Sequence, residues 1–291
     1  MKLSIVVVFH NMRREAARTL HSLSSNYQRG VSSAEYEVIA IDNGSACPLD
    51  PKEVTQHGEN FRYHFHATES VSPVGAVNLG AKMARSDSLA VIVDGARMAS
   101  PGLIRQTLMA QTLHTVPFIG ALAWHIGRDI QPLSIQHGYN QDVEDQLLTE
   151  VNWRRDGYQL FANSTIAPSS RNGFLGGFPV ECSWFSIPKH FFEKIGGFDP
   201  AFISPGGGLC NHEFRNRAAT HQDTVSIVLL GEGVFHQVHG GAATNAPPDR
   251  RPHKMFDEEY RSIFGKPLAS PPPNETLYFG ALPDVARPYL L

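Results

Sequence analysis

The sequence predicts an α/β protein built on an open, mostly parallel sheet, and three observations predict it. Short runs that are apolar on both faces recur at Leu3 to Phe9, Tyr36 to Ile41 and Leu89 to Val93, as strands covered by helices on both sides must be. Segments with helical spacing lie between them, and strand, helix, strand, helix in that order indicates right-handed crossovers. Each run stops at a polar residue, His10, Asp42 or Asp94, and ligands of such sheets bind beyond the carboxyl ends of the strands.

The elements follow in order. After the first strand, Asn11 stands where a helix N-cap belongs, and Ala16, Ala17, Leu20 and Leu23 recur at helical spacing. The second strand ends in Asp42-Asn43-Gly44-Ser45, a turn sequence. Phe61 to His66 reads as a third strand, Gly75 to Ala84 as a helix, and Leu89 to Val93 as the strand that stops at Asp94. Pro101 opens a further helix, and Phe118 to Ala123 is a short strand. From Trp124 to Gly177 the pattern is polar and loop-like. Regularity returns at Glu181 to Ile187, then a helix runs from Pro188 towards Gly196-Gly197-Phe198-Asp199. The turn Gly206-Gly207-Gly208 precedes a helix near His212 to Ala219, and Val225 to Leu230 is a strand. The remainder reads as a proline-rich tail around one helix, Lys254 to Phe264.

Composition narrows the function classes. The chain has 291 residues, 42% hydrophobic and 18% charged, with a formal net charge of -3. That is a globular composition without the basic field that nucleic acid requires. No apolar run is long enough to span a bilayer. The N-terminal apolar run meets His10, Asn11 and Arg13 at once, so it reads as a buried strand rather than a signal peptide. Three widely spaced cysteines, Cys47, Cys182 and Cys210, form no pair, which argues against a disulfide framework and for a reducing cytoplasm.

Five ordered segments carry a resemblance: SIVVVFHN, EVIAIDNGS, GAVNLGAKMA with AVIVDGARMASPGL, KIGGFD with PGGGLCNHEFRNRA, and GEGVFHQVHGG. In this set the chain resembles family 2 glycosyltransferases from residue 4 to about 245. The resemblance implies the GT-A fold and transfer of a sugar, with inversion, from a nucleotide-diphosphate donor to a saccharide or related acceptor. It further implies a hexosyltransferase of polysaccharide or glycoconjugate synthesis, at work in the cytoplasm or at the inner membrane face beside a lipid-linked acceptor.

The resemblance also assigns residues. Asp42 would accept from the nucleoside base, with Phe9, His10, Asn43 and Asn78 around the donor; turn chemistry gives Asp42 a competing role as a cap for Gly44 and Ser45. Asp94-Gly95-Ala96 occupies the place of the DxD signature, whose carboxylates hold Mn²⁺ or Mg²⁺ against the diphosphate. Ala96 replaces the second acid, so the cation is in question, and Arg97 stands ready to take part of its charge. A late histidine, His236 or His239, would complete the metal site with Asp94. The Glu-Asp pair that opens the catalytic helix in the family aligns with Cys210 and Asn211. Asn211 cannot be a base, which leaves Glu213 as catalytic base, with His212 as a substitute and helix-terminal charge as the competing role of Glu213. Glu181, Trp184, Asn211 and His212 would face the acceptor, unless Trp184 packs in the core. Asp199 reads as structural.

The expected organisation is a nucleotide-sugar half, residues 1–124, an acceptor-binding and catalytic half, 125–245, and a tail, 246–291. A non-catalytic GT-A-like module for nucleotide or glycan remains open beside the enzyme, motivated by Ala96 and Asn211. A nucleotidyltransferase ranks below both, because no glycine-rich loop follows the first strand.

Overall fold

Strand β1 (Leu3–Phe9) is buried along its whole length, and its one polar side chain is satisfied internally. Ser4 Oγ donates to Glu37 Oε1 at 2.7 Å and accepts from the amides of Arg85 and Ser86. The protein is described by a computed structural model over residues 1–170, 172–241, 244–245 and 252–289. After β1 come α1 (Arg13–Ser22), β2 (Tyr36–Asn43), α2 (Pro51–Thr55), β3 (Phe61–His66) and α3 (Val74–Met83). Then follow β4 (Ser88–Ile92), β5 (Arg97–Ala99), α4 (Leu103–Ala110), β6 (Pro117–Ile126), α5 (Gln131–Ser134) and α6 (Gln141–Glu150). The chain continues through β7 (Ser164–Ile166), β8 (Phe185–Pro188), α7 (Lys189–Lys194) and α8 (Cys210–Thr220). It ends in β9 (Val225–His236), α9 (His253–Phe264) and β10 (Thr276–Gly280).

The strands form one sheet in the order β10-β9-β6-β8-β4-β1-β2-β3, with β5 paired to β9 and β7 to β6. The ladders β1–β2, β1–β4, β2–β3, β6–β9 and β9–β10 are parallel, and β8 lies antiparallel between β4 and β6. Helices cover both faces. On one, Phe214 of α8 stacks on Phe198 at 4.7 Å and meets Phe185 of β8 at 4.8 Å. On the crossover from β3 to β4, α3 sits so close to β1 that a Cβ on Gly80 would lie 2.4 Å from Val6 Cγ1, which explains the glycine inside a helix.

The expected strands of the first half are present, and four details differ. Asn11 is not the cap of α1: it adopts a left-handed conformation with φ 54°, and Met12 precedes the helix. Its amide donates to Ser45 Oγ and its Oδ1 accepts from Ala46 N, so it ties the end of β1 to the turn after β2. Strand β6 continues to Ile126 because its last residues pair with both β7 and β9; it therefore runs across residue 124, and the two expected halves share a strand. The stretch expected as loop contains α6, capped by Asn140 Oδ1 accepting from Asp142 N and Val143 N. The tail adds β10 to the sheet edge beside its helix. Among the described residues no helix is long and apolar enough to cross a membrane.

Candidate active site

A cleft of about 390 Å³ opens at the carboxyl ends of β1 and β4, lined by His10, Asn11, Asn43, Asp94, Arg97 and Glu181 among others. The turn after β4 places Asp94 there: Asp94 Oδ1 accepts from Ala96 N at 3.1 Å, while Gly95 N donates to Val8 O at 2.7 Å. A Cβ on Gly95 would lie 2.3 Å from the Phe9 ring, so only glycine lets the turn fold down onto β1. Strand β5 then pairs with the end of β9 and sets Arg97 opposite His236.

His236 Nε2 lies 2.8 Å from Asp94 Oδ2, and His239 Nε2 lies 3.7 Å from Asp94 Oδ1. One ligand atom from each of the three residues falls within 4.8 Å of the others. Gln131 fixes the protonation of His236. Its Nε2 donates to His236 O at 2.7 Å, so its Oε1 must be the atom 2.6 Å from His236 Nδ1, and Nδ1 carries the proton. Burial pushes His236 down to about 4, so the ring is neutral at pH 7. Burial opposes the charge on Asp94, but the charge of the facing His239, itself raised by Asp94, leads the influences that outweigh it and hold the carboxyl well below its usual range. A bare Nε2 lone pair therefore points at a carboxylate oxygen. Two acceptors at that distance repel unless a cation lies between or beside them, and a His-His-Asp donor set suits a Mn²⁺-type ion, with Gln131 orienting the ring from behind.

Other buried polar atoms of the cleft lack partners among the described residues. Asn43 Oδ1, Arg97 Nη1, Ser183 Oγ and Asn211 Oδ1 are buried without a hydrogen bond, and all four residues line the cleft. Buried polar groups are nearly always paired, so a cleft that gathers four unpaired ones is built for a polar ligand. Asn43 is held by its amide nitrogen, which donates to Ser70 O and Ser72 O, and its acceptor oxygen is left over. His10 Nδ1 donates to Asn43 O at 2.8 Å.

Several expected site residues lie elsewhere, each for a physical reason. Asp42 is buried, with Oδ1 accepting from Ser45 N and Oδ2 from Leu49 N; it caps the turn and does not line the cleft. Phe9 and Ala96 are buried in the core, and Gly95 shapes the turn without lining the cleft. Asn78 exchanges two hydrogen bonds with the backbone of Phe198. Trp184 is fully buried, its Nε1 donating to Thr107 Oγ1, so it packs against α4 and stacks on no sugar. Glu213 pairs with Arg217, whose Nη2 lies 2.7 Å from Oε2 and also holds Gly197 O. Both oxygens are used, one against Nε and one against Nη2. Glu213 thus braces the glycine turn, and neither it nor His212 lines the cleft. Asp199 is structural as expected, accepting from Ala201 N.

Sequence reasoning missed Gln131, Ser183 and Glu144. Glu144 of α6 is buried; its Oε2 accepts from Val238 N at 2.7 Å and from Tyr139 Oη at 3.1 Å, while Arg14 and Arg18 approach Oε1 at 3.5 Å. Gln237 Nε2 donates to Glu15 O, so α1 and α6 together clamp the backbone between His236 and His239. Burial, the largest influence, raises Glu144 from its ordinary 4.5 to about 7. Between those values the folded chain keeps a proton that the unfolded chain has shed, so this contribution is full below pH 4.5 and is lost as pH rises through 7. Its size is on the order of 3 kcal/mol. The stability of the wild-type chain minus that of Glu144→Gln is therefore expected to fall by about 2 to 3 kcal/mol between pH 5 and 8 in urea unfolding. A difference that stays flat across that range would mean Glu144 is ionised throughout.

The comparisons with known proteins bear on this geometry. A model of glycosyl transferase family 2 matches residues 4–108. Among curated proteins none matches the sequence. Crystal structures of S. aureus TarS 1-349 superpose on the chain, in complex with UDP at TM-score 0.56 and 13% identity, covering 90% of this chain and 64% of that one. The complex of the same protein with UDP-GlcNAc superposes at TM-score 0.56 and 12% identity, covering 90% and 67%. The chain thus spans less than two thirds of the length of the UDP complex. At these identities the likeness is one of fold: an α/β, GT-A fold with a mostly parallel central sheet.

Proposed function

We propose that this protein is a glycosyltransferase that takes a sugar from a nucleoside-diphosphate donor bound in the Asp94 cleft. The observation that carries the reading is the meeting, in one cleft, of Asp94 and His239, backed by the buried His236, with the unpaired guanidinium nitrogen of Arg97. A diphosphate satisfies both: Arg97 donates to its oxygens, and the cluster holds the counter-ion. Asp94, His236 and His239 would bind Mn²⁺ or Mg²⁺, which when present neutralises charge on the leaving diphosphate. The unpaired Asn43 Oδ1 suits an N–H on a base, and the UDP and UDP-GlcNAc complexes of TarS make uridine the first base to try. Residues 1–124 supply most of these donor contacts, and Glu181 and Asn211 of the following segment face the acceptor, a saccharide free or lipid-linked. Work in the cytoplasm beside a membrane surface, on polysaccharide or glycoconjugate, remains part of this proposal. Direct displacement at the anomeric carbon gives inversion.

Ala96 and Asn211 favour a second reading, a nucleotide- or glycan-binding module without catalysis. Calorimetric titration with UDP, GDP, dTDP and CDP, each with Mn²⁺ and with EDTA, tests the site. One nucleotide is expected to bind tightly with Mn²⁺ and about 10 to 100-fold more weakly in EDTA. No binding of any nucleotide sinks the donor site; binding without release of UDP from UDP-sugars selects the module.

A further inference from the structure

We infer that Glu181 is the catalytic base of the cleft and that Asn211 positions it. The inference rests on the transferase reading above. Among the described residues two carboxylates line the cleft, Asp94 and Glu181. Asp94 is committed to His236, His239 and Ala96 N. Glu181 makes no hydrogen bond or ion pair with any described residue. The other bases nearby are engaged. Glu213 is bound to Arg217 through both oxygens. His10 gives Nδ1–H to Asn43 O, and its Nε2 accepts from Asn11 Nδ2 at 3.1 Å.

The segment that carries Glu181 is held in place on both sides. Asn211, buried at the start of α8, donates through Nδ2 to Cys182 O at 2.9 Å. A carboxylate at 211 could not make that bond. Downstream, Trp184 and Phe185 are fully buried anchors. Strand β8 pairs with β4 with Phe185 opposite Val91, and Ser183 and Val93, each two residues beyond that last pair, both line the cleft. Glu181 and Asp94 therefore leave the same end of neighbouring strands. The unpaired Ser183 Oγ and Asn211 Oδ1 flank Glu181 and suit the hydroxyls of an acceptor.

In the step, the acceptor hydroxyl gives its proton to the Glu181 carboxylate while its oxygen bonds to the anomeric carbon. The bond from that carbon to the β-phosphate oxygen breaks, and its electron pair leaves with the nucleoside diphosphate, where Arg97 meets the charge. Glu181 then returns the proton to solvent.

The experiment uses UDP and UDP-GlcNAc as probes, with water as the acceptor and UDP release as the readout. Failure of the wild-type chain to bind UDP would move the test to GDP, dTDP and CDP and their sugars, and failure with all four would overturn the transferase reading itself, before any variant is made. Given wild-type turnover, Glu181→Gln is expected to bind UDP within about threefold of wild type and to release it about 10² to 10⁴-fold more slowly. Glu181→Ala is expected to regain release in azide, which attacks carbon with no proton to shed. Glu181→Asp keeps a carboxylate and is expected to retain the acid limb of the pH profile that Glu181→Gln loses. Release by Glu181→Gln within threefold of wild type would overturn the assignment. So would slow release that azide does not restore, which would leave Glu181 a structural residue.

Discussion

Asp94→Asn is expected to slow UDP release from a UDP-sugar by about 10³-fold and to abolish Mn²⁺ binding, the larger effects coming from charge rather than shape. The amide is nearly isosteric, and its oxygen still accepts from Ala96 N, as Asp94 Oδ1 does at 3.1 Å. The turn over β1 is therefore retained, with Gly95 N on Val8 O. What disappears is the anion between His236 and His239. Without it, the neutral His236 ring loses the partner that makes a bare Nε2 useful, and two imidazoles alone are a poor hold for a hard divalent ion. The carboxyl of Asp94 lies well below its usual range in the folded chain. Its charge therefore supports the fold at neutral pH and stops doing so as pH falls through that low value. Hence the variant should also unfold at lower urea concentration at pH 7 than wild type. Mn²⁺ titration by electron paramagnetic resonance is the decisive readout: an unchanged Mn²⁺ affinity would remove Asp94 from the metal site.

Arg97→Ala is expected to weaken UDP binding by about 10 to 100-fold, as loss of a hydrogen bond to a charged group would. Uridine, which has no phosphate, should bind both chains alike. Arg97 is buried, its Nη2 lies 3.7 Å from Asp94 Oδ2, and its Nη1 has no partner among the described residues. A guanidinium in that position already has the acid on one side and offers its remaining donor to the cleft. Arg97→Lys should not restore UDP affinity, because one ammonium cannot face the carboxylate and the diphosphate in the same fork. Equal weakening of UDP and uridine would show instead that Arg97 only props the β5 strand against His236.

Much of the fold was legible because its signals are local. β1, β2 and β4 are buried on both faces, so their apolar runs have no competing reading. β10 was not legible: its residues are partly or fully exposed, and it is recruited by backbone pairing to β9, with Tyr278 bound to the backbone of Leu175 and Gly177. α6 was missed because its inward face carries Glu144 and Leu148, and a buried acid in a charged network looks in sequence like a solvated helix.

The site divided the same way. Asp94 follows from a strand end, while Arg97, His236 and His239 follow from the resemblance, and in the structure the four converge. Asp42, Glu213 and Asn78 carry the right chemistry at suggestive places, yet their atoms are spent on Ser45 and Leu49, on Arg217, and on Phe198. The partner of Asn78 lies 120 residues away, which a motif does not record, while those of Asp42 and Glu213 lie within seven residues, where a short motif offers two roles and does not choose between them. The unpaired oxygen of Asn43, by contrast, is visible only once every other polar atom around it has been matched.

The antiparallel strand β8 also sets a timetable. It fills the gap between β4 and β6, but it is encoded roughly a hundred residues after β4 ends. On a ribosome, β1 to β4 emerge and can pair among themselves, while the outer edge of β4 has no partner until β8 has been made. At typical rates of synthesis that wait is about 5 to 20 s. An unpaired edge is where nascent chains join one another wrongly. The segment that brings Glu181 to the cleft is thus also the one that seals the sheet, and the nascent chain acquires its full set of cleft residues no earlier than it becomes safe from its neighbours.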